Sequence, residues 1–178
     1  VAASLIALAG CAAMNPVPAK REFMVVGNDE KVNFSDAGAF VFLPPGKDTV
    51  SIIDIGTDPL APRILANLPL TNSIFGPPVN LAITPDQTLA LVANSMEWQQ
   101  DGAGWKPGFD NKLYVIDLTA NPPALIDTVT VGKQPSGMSI NRAGNLALIT
   151  NRADNSIGVL RIAGKKVTVI DTVTIGEM

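Results

Sequence analysis

The chain has 178 residues and a formal net charge of −3, so it offers no basic face for nucleic acid. Apolar residues make up 47% and charged ones 16%, which predicts a packed core and excludes wholesale disorder. It contains no histidine and a single cysteine, Cys11. That removes the commonest general base, an internal disulfide and any Cys/His metal centre from this chain. No cofactor and no metal are expected.

Val1 to Gly10 is an apolar run of signal-peptide length, too short to span a bilayer. Leu8-Ala9-Gly10-Cys11 follows within it and resembles the lipobox of bacterial lipoproteins. That resemblance implies that residues 1–11 form a signal segment whose Cys11 becomes a lipid attachment point. Ala12 and Ala13 lack the aspartate of inner-membrane retention, so the periplasmic side of the outer membrane is the expected address. The alternative is an ordinary cleaved signal, leaving a soluble periplasmic or secreted protein. Residues 12–22, with Asn15 to Lys20 at their centre, read as a tether.

Phe23 to Gly27 reads as a lone strand ahead of the first repeat. Three repeats of short, β-branched strands then follow, separated by Gly, Asn, Asp and Pro clusters. The first spans about 31–73, with strands at Lys31–Phe34, Phe40–Leu43, Thr49–Ile55 and near Arg63–Leu70. The second spans about 78–131, with strands at Val79–Ile83, Leu89–Ala93, Lys112–Ile116 and Leu125–Val131. The third spans about 135–176, with strands at Ser136–Ile140, Leu146–Thr150, Ser156–Ile162 and Val167–Ile175. Corresponding turns begin at Ser35, Thr84 and Asn141, 49 and 57 residues apart. Four strands in about 40–50 residues is the signature of a propeller blade, and the excess in the second repeat is one insertion, Ser95 to Phe109. The expected fold is all-β: about three four-stranded antiparallel blades in an open arc.

The segments Asp48 to Asp54, Asn111 to Asp117 and Asp154 to Leu160 resemble the D-N-x-V-S-V-I-D core of YVTN-type β-propeller repeats. Thr84-Pro85-Asp86-Gln87 is similar to that family's S-P-D-G turn, and Val131-Gly132-x-x-Pro135 to its repeat junction. The third copy departs at Leu160-Arg161, where Ile-Asp is the pattern. The resemblance implies a lactonase-like propeller, usually of seven blades. Since a ring needs at least about four, the protein is expected to continue beyond Met178. The lone strand would close the ring with a blade outside this chain. The outer faces of blades one and three would then expose apolar surface.

Chemistry is expected on the rim carrying the B–C and D–A connections. The insertion Ser95 to Phe109 holds both tryptophans, Trp98 and Trp105, with Asp101 between them and Asp110 beside it. Read for function, this is a binding lip: aromatic faces for a sugar, quinone or peptide, oriented by Asp101 or Asp110. Read for structure, the tryptophans pin a long loop to the rim. Asp101 and Asp110 offer oxygen ligands, but their spacing is not that of a calcium loop, and aspartates in Gly-rich turns make Asx-turns. Asp54, Asp117, Asp36 and Asp86 recur from blade to blade as turn formers. Asp29-Glu30 reads as a solvated end.

Two functions follow. One is a non-catalytic, lipid-anchored module binding a protein, an envelope polymer or a small molecule, with no nucleic acid partner. The other is a lactonase-like hydrolase or the propeller subunit of a periplasmic dehydrogenase, with catalytic residues partly in further blades. The YVTN resemblance implies the second, and the want of a nucleophile–base set favours the first.

Overall fold

A computed structural model of the chain describes residues 21–73 and 80–176. Cys11, the signal segment, most of the tether and residues 74–79 of the first D–A connection lie outside the described residues. No helix among the described residues is long and apolar enough to cross a membrane.

The described chain is built from β-strands. β6 (Leu81–Ile83), β7 (Leu89–Asp101), β8 (Gly104–Asp117) and β9 (Ala124–Thr130) form one antiparallel four-stranded blade. β10 (Pro135–Ile140), β11 (Leu146–Asn151), β12 (Ser156–Ala163) and β13 (Lys166–Thr174) form the next. Each has the sequential A-B-C-D order of a meander, as expected for a propeller.

The first blade departs from expectation. β1 (Phe23–Asn28) is not a lone strand: it pairs along its whole length with β4 (Thr49–Asp54), which pairs in turn with β5 (Arg63–Leu68). β2 (Val32–Phe34) and β3 (Phe40–Phe42), read from sequence as the blade's first two strands, form a separate two-stranded hairpin. The register gives the reason. Asn28 opposes Thr49 as Asn94 opposes Lys112 and Asn151 opposes Ser156. Val26-Gly27-Asn28 is therefore the first copy of the B-strand ending seen again in Val92-Ala93-Asn94 and Ile149-Thr150-Asn151. β1 occupies the B position, and residues 29–48 are an insertion in the B–C connection.

The period-2 alternation divides the core. Leu89, Leu91, Ala93, Leu113 and Val115 of the middle blade pack with Ala147, Ile149, Leu160 and Ile162 of the third. The intervening Ala90, Val92, Tyr114 and Ile116 pack with Phe23, Val50 and Ile52 of the first. β7 and β8 thus have two dry faces and read as continuous apolar runs. The outer blades are buried on one face. Met24 and Ile64 of the first blade, and Leu148 and Val173 of the third, remain largely exposed.

Blade contacts at the D–A connection are close. A Cβ added at Gly132 would fall 2.5 Å from Cγ of the buried Asn151, so only glycine lets this connection cross the next blade's B strand.

Candidate binding rim

The strand directions place Asn28, Asn94 and Asn151, and hence all three B–C connections, on one rim. β1 begins on the opposite rim, where the Phe23 amide donates to Gln87 Oε1 (2.9 Å) and the Ile55 amide to the Glu22 carbonyl (2.9 Å). Two of the three B–C connections project as hairpins, and the third is a single 3-10 turn, Arg152–Asp154.

The segment Ser95 to Phe109 is not a structureless loop. β7 and β8 continue past the blade, pairing Met96 with Phe109, Trp98 with Pro107 and Gln100 with Trp105 up to a tip at Asp101 and Gly104. The two-residue tip needs a left-handed residue, and Gly102 supplies it at φ +59°. A bulge at Ser95 sets the projection off from the blade, held by the Ser95 hydroxyl donating to the Pro135 carbonyl.

Register puts Trp98 and Trp105 on one face of this hairpin, yet their surroundings differ. Trp98 is 5% exposed and meets Phe42 of the β2–β3 hairpin edge-on, ring centroids 5.6 Å apart. Trp105 is half-buried. Phe34 pairs with Phe40 (centroids 5.2 Å), and Phe40 stacks with Phe42 at 6.3 Å. Phe34, Phe40 and Phe109 are 58%, 54% and 58% exposed. The two insertions, from adjacent blades, therefore share one aromatic cluster, dry at Trp98, half-buried at Phe42 and open at Phe34 and Phe40.

Beneath the cluster lies a buried charge, Lys31. Its side chain is fully enclosed, as is that of Asp29, while Asp48 is 2% exposed. The ammonium donates to Asp29 Oδ1 (2.9 Å), to Asp48 Oδ2 and to the Asn72 carbonyl, and stands 5.3 Å from the Trp98 ring centroid. An ammonium has three donors, and these three acceptors use them all. Asp48 also accepts from the amides of Glu30 and Asn72, both at 3.1 Å. Burying a lone charge would be prohibitive; complete pairing makes this site tenable. Asp29 is therefore no solvated end, although its neighbour Glu30 is exposed.

The proposed ligand-orienting carboxylates are separated. Asp101 is exposed at the hairpin tip, 3.4 Å from Lys106. Asp110 is buried at the hairpin base, accepting from Asn94 Nδ2 (2.6 Å), Lys112 Nζ (3.1 Å) and the Asn111 amide (2.8 Å). Asp101 pairs with Gly104 across the tip, and the extended strand from Gly104 to Asp110 then puts the two carboxylates roughly 20 Å apart, too far to share one small ligand. Burial pushes the Lys112 ammonium down, but Asp110 and Glu97 outweigh it and hold its pKa above the usual lysine value.

Of the repeated aspartates, Asp54, Asp86 and Asp117 lie on the opposite rim; Asp36, expected there as an A–B turn former, sits instead in the turn of the β2–β3 hairpin, because residues 29–48 are an insertion and not the first two strands of a blade. Hydrogen bonds from the Thr57 hydroxyl (2.6 Å) and amide (3.0 Å) hold the Asp54 carboxyl at a pKa of about 2. At Asp117 burial pushes the pKa up, yet Lys165 (2.5 Å) and the Thr119 hydroxyl (2.6 Å) prevail and bring it to about 2. Lys165 belongs to the third blade, so this contact ties two blades together. Asp86 is held below the usual range by Thr84 and Thr88.

The Lys31 cluster and the Phe34–Phe40–Phe42 patch were missed in sequence reasoning. The readable signal was the third Asn-ended strand: placing β1 in register with β7 and β11 turns 29–48 into a second rim insertion.

No protein family model matches this chain, and no curated protein matches it. Solved structures do. A candidate 6-phosphogluconolactonase of Bacteroides fragilis aligns over 81% of this chain with a TM-score of 0.50 at 13% identity. The periplasmic gluconolactonase of Pseudomonas aeruginosa aligns over 82% with a TM-score of 0.49 at 17% identity. The chain spans 38% and 39% of the length of those two structures. Together with the meander blades and their shared cores, the first of these likenesses establishes the architecture: the chain has a β-propeller fold.

Proposed function

We propose that this chain is the ligand-contacting part of a non-catalytic β-propeller module, exported and lipid-anchored at Cys11, whose binding surface is the aromatic rim of the two hairpins. The observation that carries the reading is the exposure of Phe34 and Phe40 on a hairpin that is itself rigidly seated on Trp98. Exposed large apolar groups on a well-anchored support are the common form of an interaction site. Five of the rim's carboxylates argue in the same direction. Asp29, Asp48, Glu97, Asp101 and Asp110 each contact a lysine, an arrangement suited to holding structure and not to moving protons. β1 enters from the opposite rim, so a tether ending at Glu22 would leave the hairpins facing away from an anchoring membrane.

The test is site-specific photocrosslinking in the producing cell. Benzoylphenylalanine in place of Phe40 is expected to capture a partner, and the same probe at Lys166, beyond the opposite rim, is not. Equal capture from both positions would overturn the reading. A hydrolase reading makes a different forecast: purified protein would open gluconolactone, and Asp101→Asn would abolish that activity. Such a result would replace the binding role by catalysis.

A further inference from the structure

We infer that Lys31 is the positioning residue of the aromatic rim, coupling the two hairpins so that they move as one body; the inference that this body is a binding surface rests on the reading above. Four groups from three elements meet at its ammonium. Asp29 precedes the β2–β3 hairpin, Asp48 ends its return segment, Asn72 belongs to the connection leaving the first blade, and Trp98 belongs to the second blade's hairpin.

The topology makes such a part necessary. A two-stranded hairpin is marginal on its own, and β2–β3 has three residues per strand. Its paired strands lie in neither blade sheet, so the ends of the insertion, Asp29 and Asp48, must be fixed in another way. Lys31 does so from inside by joining both to one cation. The same cation faces the indole of Trp98, while Phe42 covers that ring edge-on. A lysine is suited to this: its three donors radiate from a compact head, whereas a planar guanidinium would direct its bonds into one plane and require a wider cavity. Coupling through shared packing and ion pairs is measurable, because local opening of one partner then raises the opening of the other.

Hydrogen–deuterium exchange on the whole chain tests this without any ligand. In Lys31→Met, amides of residues 32–42 and of residues 96–109 are both expected to exchange about tenfold faster, with β10–β13 unchanged. Asp29→Asn, a milder change that leaves an amide oxygen for the ammonium, should accelerate the same two segments by a smaller factor. It keeps the question open to measurement if the methionine variant fails to fold. Faster exchange in 32–42 alone would overturn the coupling, as would no change in either hairpin. Uniform acceleration through β10–β13 would make Lys31 a fold-wide core residue and overturn the assignment as well. Coupled hairpins with no crosslink from Phe40 would sink the binding role and leave the coupling standing.

Discussion

The two rims of this propeller solve the same problem, turning the chain between strands, in opposite ways. On the rim of the A–B and C–D turns the blades copy one another. Asp54 and Asp117 end equivalent strands and accept hydrogen bonds from threonines two or three residues on, and Asp86 does the same within its own turn. On the hairpin rim each B–C connection is different: a hairpin spliced into 29–48, an extension of β7–β8, and a single 3-10 turn. The first kind of carboxylate is paired locally by its own turn. The second, at Asp29, Asp48 and Asp110, is buried at the side chain and belongs to a network: Asp29 and Asp48 share the Lys31 ammonium, Asp48 also accepts from the Asn72 amide, and Asp110 accepts from Asn94 across the hairpin base. Repetition marks what every blade needs, and departure from it marks what this rim adds.

The comparison breaks most sharply at Trp98. Trp98→Ala removes the ring that Phe42 and Lys31 both contact and leaves a cavity beside a buried ammonium. A loss of about 3–5 kcal/mol in unfolding free energy is expected, read from the shift of the urea midpoint. Trp105→Ala, on the same hairpin face and half-buried, should cost markedly less. Equal losses would mean that the Phe42 and Lys31 contacts add nothing beyond burial of one ring.

The opposite rim is broken by acid. The Asp54 and Asp117 carboxyls sit at about 2 in the folded chain against an ordinary value of 3.8. Above about pH 4 both folded and unfolded chains are ionised and the stabilisation is fully present. As pH falls from there the unfolded chain takes up protons first, so stability declines and the contribution is gone below about pH 2. The urea midpoint should therefore fall between pH 4 and 2. The double variant Asp54→Asn, Asp117→Asn should start lower at neutral pH and show a flatter slope in that window. An unchanged slope would assign the acid sensitivity to other carboxylates.

Much of this architecture was legible in the chain because blades are local. β-branched runs bounded by Asn, Gly and Asp carry the strands of the third blade to within a residue of their observed ends, and in the second blade they locate every strand but stop eight residues short of the end of β7 and of the start of β8. The dry faces of β7 and β8 follow from their apolar runs. What escaped was non-local. β1 was read as solitary because its hairpin partner, β4, lies twenty residues away behind an insertion that itself looks like two strands. Phe40-Val41-Phe42 has the short apolar run of a blade strand, and nothing in the pattern distinguishes a strand that joins a sheet from one that leaves it. Ser95 to Phe109 lacks β-branched residues, so the extended hairpin hid behind Gly, Pro and Gln, and its continuity comes from pairing with β8 and from Gly102 at the tip. Asp29-Glu30-Lys31 has the composition of a solvated segment. Only the seventeen-residue return to Asp48 and the packing of Trp98 from another blade bury two of its three charges.

The finest distinction between the rims lies in two lysines of nearly equal exposure. Lys165 and Lys106 are 54% and 53% exposed, and each meets one aspartate. Their partners differ: the Asp117 side chain is 8% exposed and the Asp101 side chain 61%. An ion pair between two solvated groups gains little over water, since both ends lose side-chain freedom to form it. Lys106→Met should accordingly leave the urea midpoint unchanged. Lys165 bonds a carboxylate already enclosed on most sides and does so across a blade boundary, so its loss leaves Asp117 with the Thr119 bonds alone. A destabilisation of about 0.5–1 kcal/mol is expected for Lys165→Met, at the upper end for exposed pairs and diminished by salt. If the two substitutions proved equal, enclosure of the acceptor would not be what gives such a pair its strength. The blade-to-blade tie at Asp117 would then owe its firmness to the apolar interface beneath it.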